Sequence, residues 1–178
     1  TTTTTEDATG EILETCLVHV TREEIEKVIS SFVGEYTQIP PMYSAIKVNG
    51  VRLYELARQG IEIERPSRNV TIYSCEVIEW IDYARFRIRV KCSKGTYIRT
   101  LCTDIGKALG CGAHMGYLLR TQVGAFTLSE SLTLEELEEQ KETIQSHLYA
   151  LEVLFAHYPR VQIRETGKKF LDNGNALW

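Results

Sequence analysis

The chain has 178 residues, 43% of them hydrophobic and 25% charged, with a formal net charge of −4; that is enough apolar material for one ordinary domain, or for one domain and part of another. No apolar run approaches the roughly 20 residues of a membrane span, and the polar opening TTTTTEDATGE carries no secretory signal, so nothing in the sequence directs the chain away from the cytoplasm. Five cysteines, with only Cys111-Gly-Ala-His114 at ligand-like spacing, point to reduced thiols packed as small residues and to no metal.

The opening threonines are β-branched and predict an extended strand, followed by a turn at Asp7-Ala8-Thr9-Gly10 and a returning strand over Glu11 to Val20. Thr21 ahead of Glu23 and Glu24 reads as an N-cap, and Ile25, Val28, Ile29, Phe32 and Val33 carry the helical period, so a helix is expected over 22–33, ended by Gly34. Residues 35–69 differ in texture. Pro40-Pro41 forbids a helix, Asn49-Gly50 is a hairpin signal between SAIKV and VRLYEL, and Arg52 to Arg58 can form a short helix closed by Gly60. The whole stretch reads as a long excursion from a sheet, a kind of loop that often carries function.

Val70 to Glu79 and Ala84 to Cys92 are two strands joined around Asp82. In the second, Arg85, Arg87, Arg89 and Lys91 alternate with Phe86, Ile88, Val90 and Cys92, giving one basic face and one apolar face. The stretch CSKGTYIRTL then turns at Gly95 and presents Tyr97 and Arg99 as a strand end. Thr100 to Leu109 reads as a helix stopped by Gly110, and residues 111–128 as a loop running into a short strand. Thr133 and Glu136 form a capping box for a helix reaching to about Phe155. After Pro159 the sequence reads as an unfinished strand ending in Trp178. The elements together predict an α+β fold, with a mixed or antiparallel β-sheet, flanking helices and an inserted loop.

The net charge conceals an asymmetry. Residues 133–142 carry five Glu, whereas Arg85 to Arg99 includes six basic residues and no acidic one. Four like charges along one strand face repel unless something neutralises them, so either a solvated face or an anionic partner is expected there. Taken alone, Tyr97 reads as a half-buried strand tyrosine, Arg99 as an exposed charge and His114 as a turn-stabilising histidine.

Three segments, IPPMYSAIKVNGVRLYELARQGIEIERP, CSKGTYIRTLCTDIGKALGCGAHMGYLLRT and TTTTTEDATGE, together resemble the bacterial TruB-type tRNA pseudouridine synthases. The resemblance implies a pseudouridine-synthase-like fold and cofactor-free isomerisation of the uridine at tRNA position 55, in the T-loop. It implies that Arg99 matches the arginine pairing with the catalytic aspartate and Tyr97 the tyrosine beside the target base. Leu118 would line the uracil pocket, Tyr43 and Lys47 would lie near the cleft, and residues 35–69 would be a thumb closing on the T-loop. Arg85, Arg87, Arg89, Lys91 and Lys94 would then meet phosphates. The implied partner is the tRNA T-arm, bound by a monomer without membrane or metal.

The family's Gly-Thr-Leu-Asp-Pro segment, which carries its nucleophilic aspartate, is missing from the sequence. Asp7 matches instead the family's later T-x-T-x-D-x-x-G stretch, and Asp82 and Asp104 match no catalytic position, Asp104 being expected to face solvent or to cap. Residues 1–156 are therefore expected to be a partial catalytic domain and 157–178 the start of a truncated C-terminal RNA-binding domain. The chain as given is expected to be inactive and its intact parent an enzyme. Two other readings stand beside this one: a non-catalytic tRNA-binding or RNA-folding module, and a small protein whose basic strand binds an acidic protein surface.

Overall fold

The computed structural model describes residues 1–175, so Trp178 lies outside the described residues. No helix among them is long and apolar enough to cross a membrane. The chain divides into two compact units, residues 1–118 and residues 119–178.

The first unit opens with two short antiparallel strands, β1 (Thr2–Thr3) and β2 (Ile12–Glu14). Both are much shorter than the sequence pattern suggests. The threonine hydroxyls are the reason for the first, because local side-chain bonds compete with a ladder. Thr3 Oγ1 donates to the Asp7 carbonyl at 2.7 Å and Thr5 Oγ1 to the Asp7 carboxylate at 2.7 Å. In β2, Ile12 and Leu13 are both exposed, and with no face to bury the strand stops early.

Helix α1 (Arg22–Ser31) starts at the expected place, with Thr21 and Glu24 forming a reciprocal capping box. It buries Ile25 and Ile29. After Gly34, at φ 113°, the chain enters β3 (Gly34–Gln38), the edge of a three-stranded antiparallel sheet. Here the structure corrects the sequence reading, which assigned residues 35–38 and 68–69 to the excursion. Tyr36 is the one apolar residue in EYTQ, so no alternation betrays the strand. Its pairing runs from Gly34 opposite Ile72 to Gln38 opposite Arg68. The excursion is therefore 39–67, and its two ends are held together by a ladder rung.

Within it, β4 (Lys47–Val48) and β5 (Val51–Arg52) form the expected hairpin. Asn49 and Gly50 both take positive φ, at 51° and 82°, as a tight primed turn demands. Helix α2 (Leu53–Arg58) follows and closes before Gly60. The excursion is not free of core: Leu53 and Pro40 are fully buried.

The long central strand β6 (Arg68–Trp80) pairs with β7 (Phe86–Cys92) across a turn that Asp82 caps, accepting from the amides of Ala84 and Arg85. Ile72 and Cys75 from β6 meet Ile25 and Ile29 from α1 and Leu101 and Ile105 from helix α3 (Ile98–Ala108). Phe86, Ile88, Val90 and Cys92 of β7 pack on the same core. Tyr97 and Arg99 are not a strand end, as expected from sequence. The strand stops at Cys92, Gly95 turns the chain at φ 83°, Tyr97 is the N-cap of α3 and Arg99 lies in its first turn.

The second unit begins with a hairpin of β8 (Gln122–Val123) and β9 (Phe126–Thr127). The expected helix over 133–155 is broken into α4 (Leu134–Glu139), a 3₁₀ turn at Ile144–His147 and α5 (Leu151–Leu154). Its capping box of Thr133 and Glu136 is present. Glu138 and Glu139 then stand where the helix dipole favours cations, and no basic residue occupies that last turn. The expected final strand is instead helix α6 (Glu165–Asp172), with Glu165 in its first turn and Lys169 in its last, both charges suited to the dipole.

Candidate active site

At the start of α3 the Arg99 guanidinium is held from three sides. Nη1 donates to the Thr5 carbonyl at 3.2 Å and to Asp7 Oδ2 at 3.1 Å, and Nη2 donates to the Tyr43 carbonyl at 2.7 Å. The Arg99 and Asp7 side chains are about four-fifths buried, at 22% and 17% exposure. A guanidinium has five N–H donors. Both hydrogens of Nη1 and one of Nη2 are engaged, which leaves Nε–H and one Nη2–H without a partner among the described residues. A fixed cation with two free donors is suited to hold a second carboxylate in ionised form.

The Asp7 loop is built to supply the first carboxylate. Oδ1 accepts from Thr5 Oγ1 at 2.7 Å, from the Thr9 amide at 3.0 Å and from Thr9 Oγ1 at 2.6 Å. Partial burial pushes the Asp7 carboxyl up, but the Thr9 and Thr5 hydrogen bonds and the Arg99 charge outweigh it and bring it down to about 2. Such a carboxylate is a weak base, with Oδ1 taken up by three donors and Oδ2 turned to Arg99. The geometry makes Asp7 the counter-charge of Arg99. Sequence reading matched Asp7 to the T-x-T-x-D-x-x-G stretch, gave it no role there and so missed this one.

The shift has a sign that can be tested. Asp7 is lowered from 3.8 to about 2 on folding, so between those values the unfolded chain binds more protons and stability rises with pH. The contribution is present above pH 4 and lost as pH falls toward 2. Urea unfolding at pH 6 should find Asp7→Asn less stable than wild type by about 1–2 kcal/mol, after allowance for residual solvent. The gap should close near pH 2.

Glu6 beside Asp7 takes φ 64°, which non-glycine residues adopt rarely. Thr100 Oγ1 holds it there through Glu6 Oε2 at 2.6 Å, and the Met115 amide through the Glu6 carbonyl at 3.0 Å. A cleft lined by Glu6, Thr37, Ile39, Arg65, Thr100, Asp104 and Lys107 adjoins the pair. Asp104 does not face solvent as expected from sequence. It accepts from the Tyr36 hydroxyl and from Lys107 Nζ. Burial and that bond push the Tyr36 phenol far above its ordinary range.

The sequence-derived candidates divide clearly. Arg99 and Tyr43 come together, Tyr43 through its carbonyl, whereas the Tyr97 ring, two residues before Arg99, lies under the Arg68 guanidinium. Lys47 is exposed in β4 and Lys94 in the turn that precedes α3. Leu118 is 49% exposed, three residues beyond Met115, which pairs with Asp7. His114 Nδ1 donates to the Thr1 carbonyl at 3.0 Å, a structural use. The basic strand needs a correction. Three of its four charges have acids beside them on β6 and the turn, in exposed pairs of small worth. Arg85 pairs with Asp82 at 2.6 Å, Arg87 with Glu79, and Arg89 with Glu76 at 3.5 Å. Register places Glu76 opposite Arg89 and Glu79 opposite Arg87. Lys91 is left opposite Ser74. These side chains stand on the sheet face turned away from α1 and α3, so they do not join Arg99.

The N-terminal domain profile of the TruB family of pseudouridylate synthases matches residues 1–98, and that of the tRNA pseudouridylate synthase B C-terminal domain matches residues 99–156. The chain is 48% identical to tRNA pseudouridine synthase B of Alkaliphilus oremlandii over 99% of its own length and 58% of that protein's. It is 49% identical to the Halalkalibacterium halodurans protein of the same name, over 98% of the chain and 60% of the relative. The chain thus spans about three-fifths of the length of these relatives. A chain in the crystal structure of a Cbf5–Nop10–Gar1 complex superposes with a TM-score of 0.57 at 33% identity, over 74% of this chain and 35% of that one.

Proposed function

The chain belongs to the TruB family of pseudouridylate synthases, and from that premise we propose that it carries the arginine side of a site that converts a T-loop uridine of tRNA to pseudouridine. The observation that carries the reading is Arg99: part-buried, neutralised on one edge by Asp7, and left with two donors free among the described residues. We infer that these donors hold the reacting carboxylate, and that this carboxylate comes from outside the 178 residues, since Asp7 and Glu6 are already engaged.

The chemistry follows from what the residues can do. A uridine inside a folded loop must be flipped out before it reacts, at a cost of a few kcal/mol, and stacking on an aromatic face returns roughly 1–3 kcal/mol. Tyr97 provides that face, with Leu118 as the apolar wall of the uracil site. The carboxylate promotes cleavage of the C1′–N1 bond, the uracil turns, C5 bonds to C1′, and the C5 proton leaves to solvent while N1 takes one up. No cofactor is needed, because bond order is rearranged without net oxidation. Lys47, Lys91 and Lys94 have no acidic partner among the described residues and serve as phosphate contacts, with Arg85, Arg87 and Arg89 contributing once their own acids yield. Residues 1–156 serve as the catalytic portion and 157–178 as part of an RNA-binding region.

Tritium release tests the reading. Full-length enzyme given T-arm RNA labelled at uridine C5 should release one tritium per turnover from the T-loop site, and Lys94→Ala should weaken RNA binding and lower the salt slope by about 1. Absence of release from any T-arm substrate would overturn the assignment.

A further inference from the structure

Gln38 is fully buried, and beyond a side-chain hydrogen bond toward Tyr36 of its own strand its amide reaches outside the sheet. Both ends of it are spent on one residue 59 positions away: Nε2 donates to the Tyr97 carbonyl at 3.0 Å, and Oε1 accepts from the Tyr97 amide at 2.8 Å. The side chain thereby acts as a ladder rung for a residue that belongs to no strand. Its partner across the β3–β6 rung, Arg68, places its guanidinium over the Tyr97 ring, 5.9 Å from the centroid. Gln38 and Arg68 are also the two residues at the mouth of the 39–67 excursion. One rung of the sheet thus holds Tyr97 by its backbone with one residue and by its ring with the other.

Tyr97 needs such support from elsewhere. It is the N-cap of α3, extended at φ −97° and ψ 106°, and its side chain makes no capping bond. We propose that Gln38 is a positioning residue for the reaction, fixing Tyr97 relative to Arg99, with Arg68 completing the grip from the ring side. The inference rests on the function proposed above, in which Tyr97 faces the target base. Gln38 touches no substrate and acts through Tyr97.

The amide is chemically selective here, since the site needs one donor and one acceptor at fixed spacing. Methionine has the length but neither group. Ionised glutamate accepts from the Tyr97 amide but opposes its carbonyl. Protonated glutamate restores both bonds, and burial holds that form to higher pH. The full-length enzyme should therefore be compared as wild type, Gln38→Met, Gln38→Glu and Arg68→Met, in steady-state pseudouridine formation and in hydrogen exchange at the Tyr97 amide.

Gln38→Met should lower kcat about 10–100-fold with KM for T-arm RNA within about twofold, and exchange at Tyr97 should accelerate at least about tenfold. Gln38→Glu should approach wild-type kcat at low pH and lose it as the new carboxyl ionises, a pH dependence absent from Gln38→Met. A variant that only loosened the fold would not acquire that profile. Unchanged kcat and exchange in Gln38→Met would overturn the proposal, as would a rise in KM at constant kcat. Should Gln38→Met not fold, Arg68→Met keeps the buried amide, and its kcat should still fall about 3–10-fold; unchanged kcat there would count against the proposal. If wild type itself forms no pseudouridine, the functional reading fails separately, and Tyr97 exchange still decides whether Gln38 holds that residue.

Discussion

Arg99→Lys in the full-length enzyme should cut kcat for T-loop pseudouridine formation by about 10²–10³, while T-arm binding changes less than threefold. The charge survives this substitution, so the loss isolates geometry. Arg99 uses two donors on Nη1 and one on Nη2 to reach Thr5, Asp7 and Tyr43, and in the proposed function the rest go to the reacting carboxylate. An ammonium group has three donors at one point and cannot serve both sides of a planar fork. Arg99→Met should cost at least as much activity and also destabilise the fold, because Asp7 would keep a part-buried charge without its counter-ion. Equal kcat in Arg99→Lys and wild type would remove Arg99 from the chemistry.

Gly106→Ala should destabilise the protein by about 3 kcal/mol or more, lowering the melting temperature by roughly 10 °C. Gly106 is buried in α3, and a Cβ there would fall 2.1 Å from the Ala113 nitrogen and 2.5 Å from the Gly112 carbonyl carbon. Those are backbone atoms and cannot swing aside. The same glycine's carbonyl accepts from the amides of Cys111 and Gly112, so any shift also strains the helix exit. This contact matters for the site because the segment leaving it runs on to Met115, which bonds to Glu6 and Ala8 on either side of Asp7. Gly116→Ala, where an added Cβ meets nothing within 4 Å, is the control and should change stability by less than about 0.5 kcal/mol. Similar melting temperatures for both variants would contradict the close approach.

Local signals in the sequence carried the hairpin of the excursion and the starts of α1 and α4. Asn49-Gly50 specified its hairpin, Thr21 with Glu24 and Thr133 with Glu136 specified their capping boxes, and YSAIKVNGVRLYELAR and TYIR carried the family. What escaped depends on contacts between distant residues. Asp7 and Arg99 are 92 positions apart, and Gln38 and Tyr97 are 59 apart, so neither pairing leaves a periodic trace. The neutralisation of the basic strand was hidden for a related reason. Arg87 and Arg89 meet Glu79 and Glu76 only because of a register that shifts along β6, between Ile72 and Ser74 and again between Val77 and Glu79. The opening threonines misled because β-propensity says nothing of hydroxyls spent on a neighbouring aspartate.

The assignment of Asp7 as counter-charge, with the reacting carboxylate supplied from outside these residues, is tested most directly by comparing two proteins on T-arm RNA. One is the 178-residue chain and the other is the full-length enzyme, each also made as Asp7→Ala. The account predicts pseudouridine from the full-length protein alone, reduced but not abolished by Asp7→Ala. Turnover by the 178-residue chain that disappears with Asp7→Ala would make Asp7 the reacting carboxylate and contradict it.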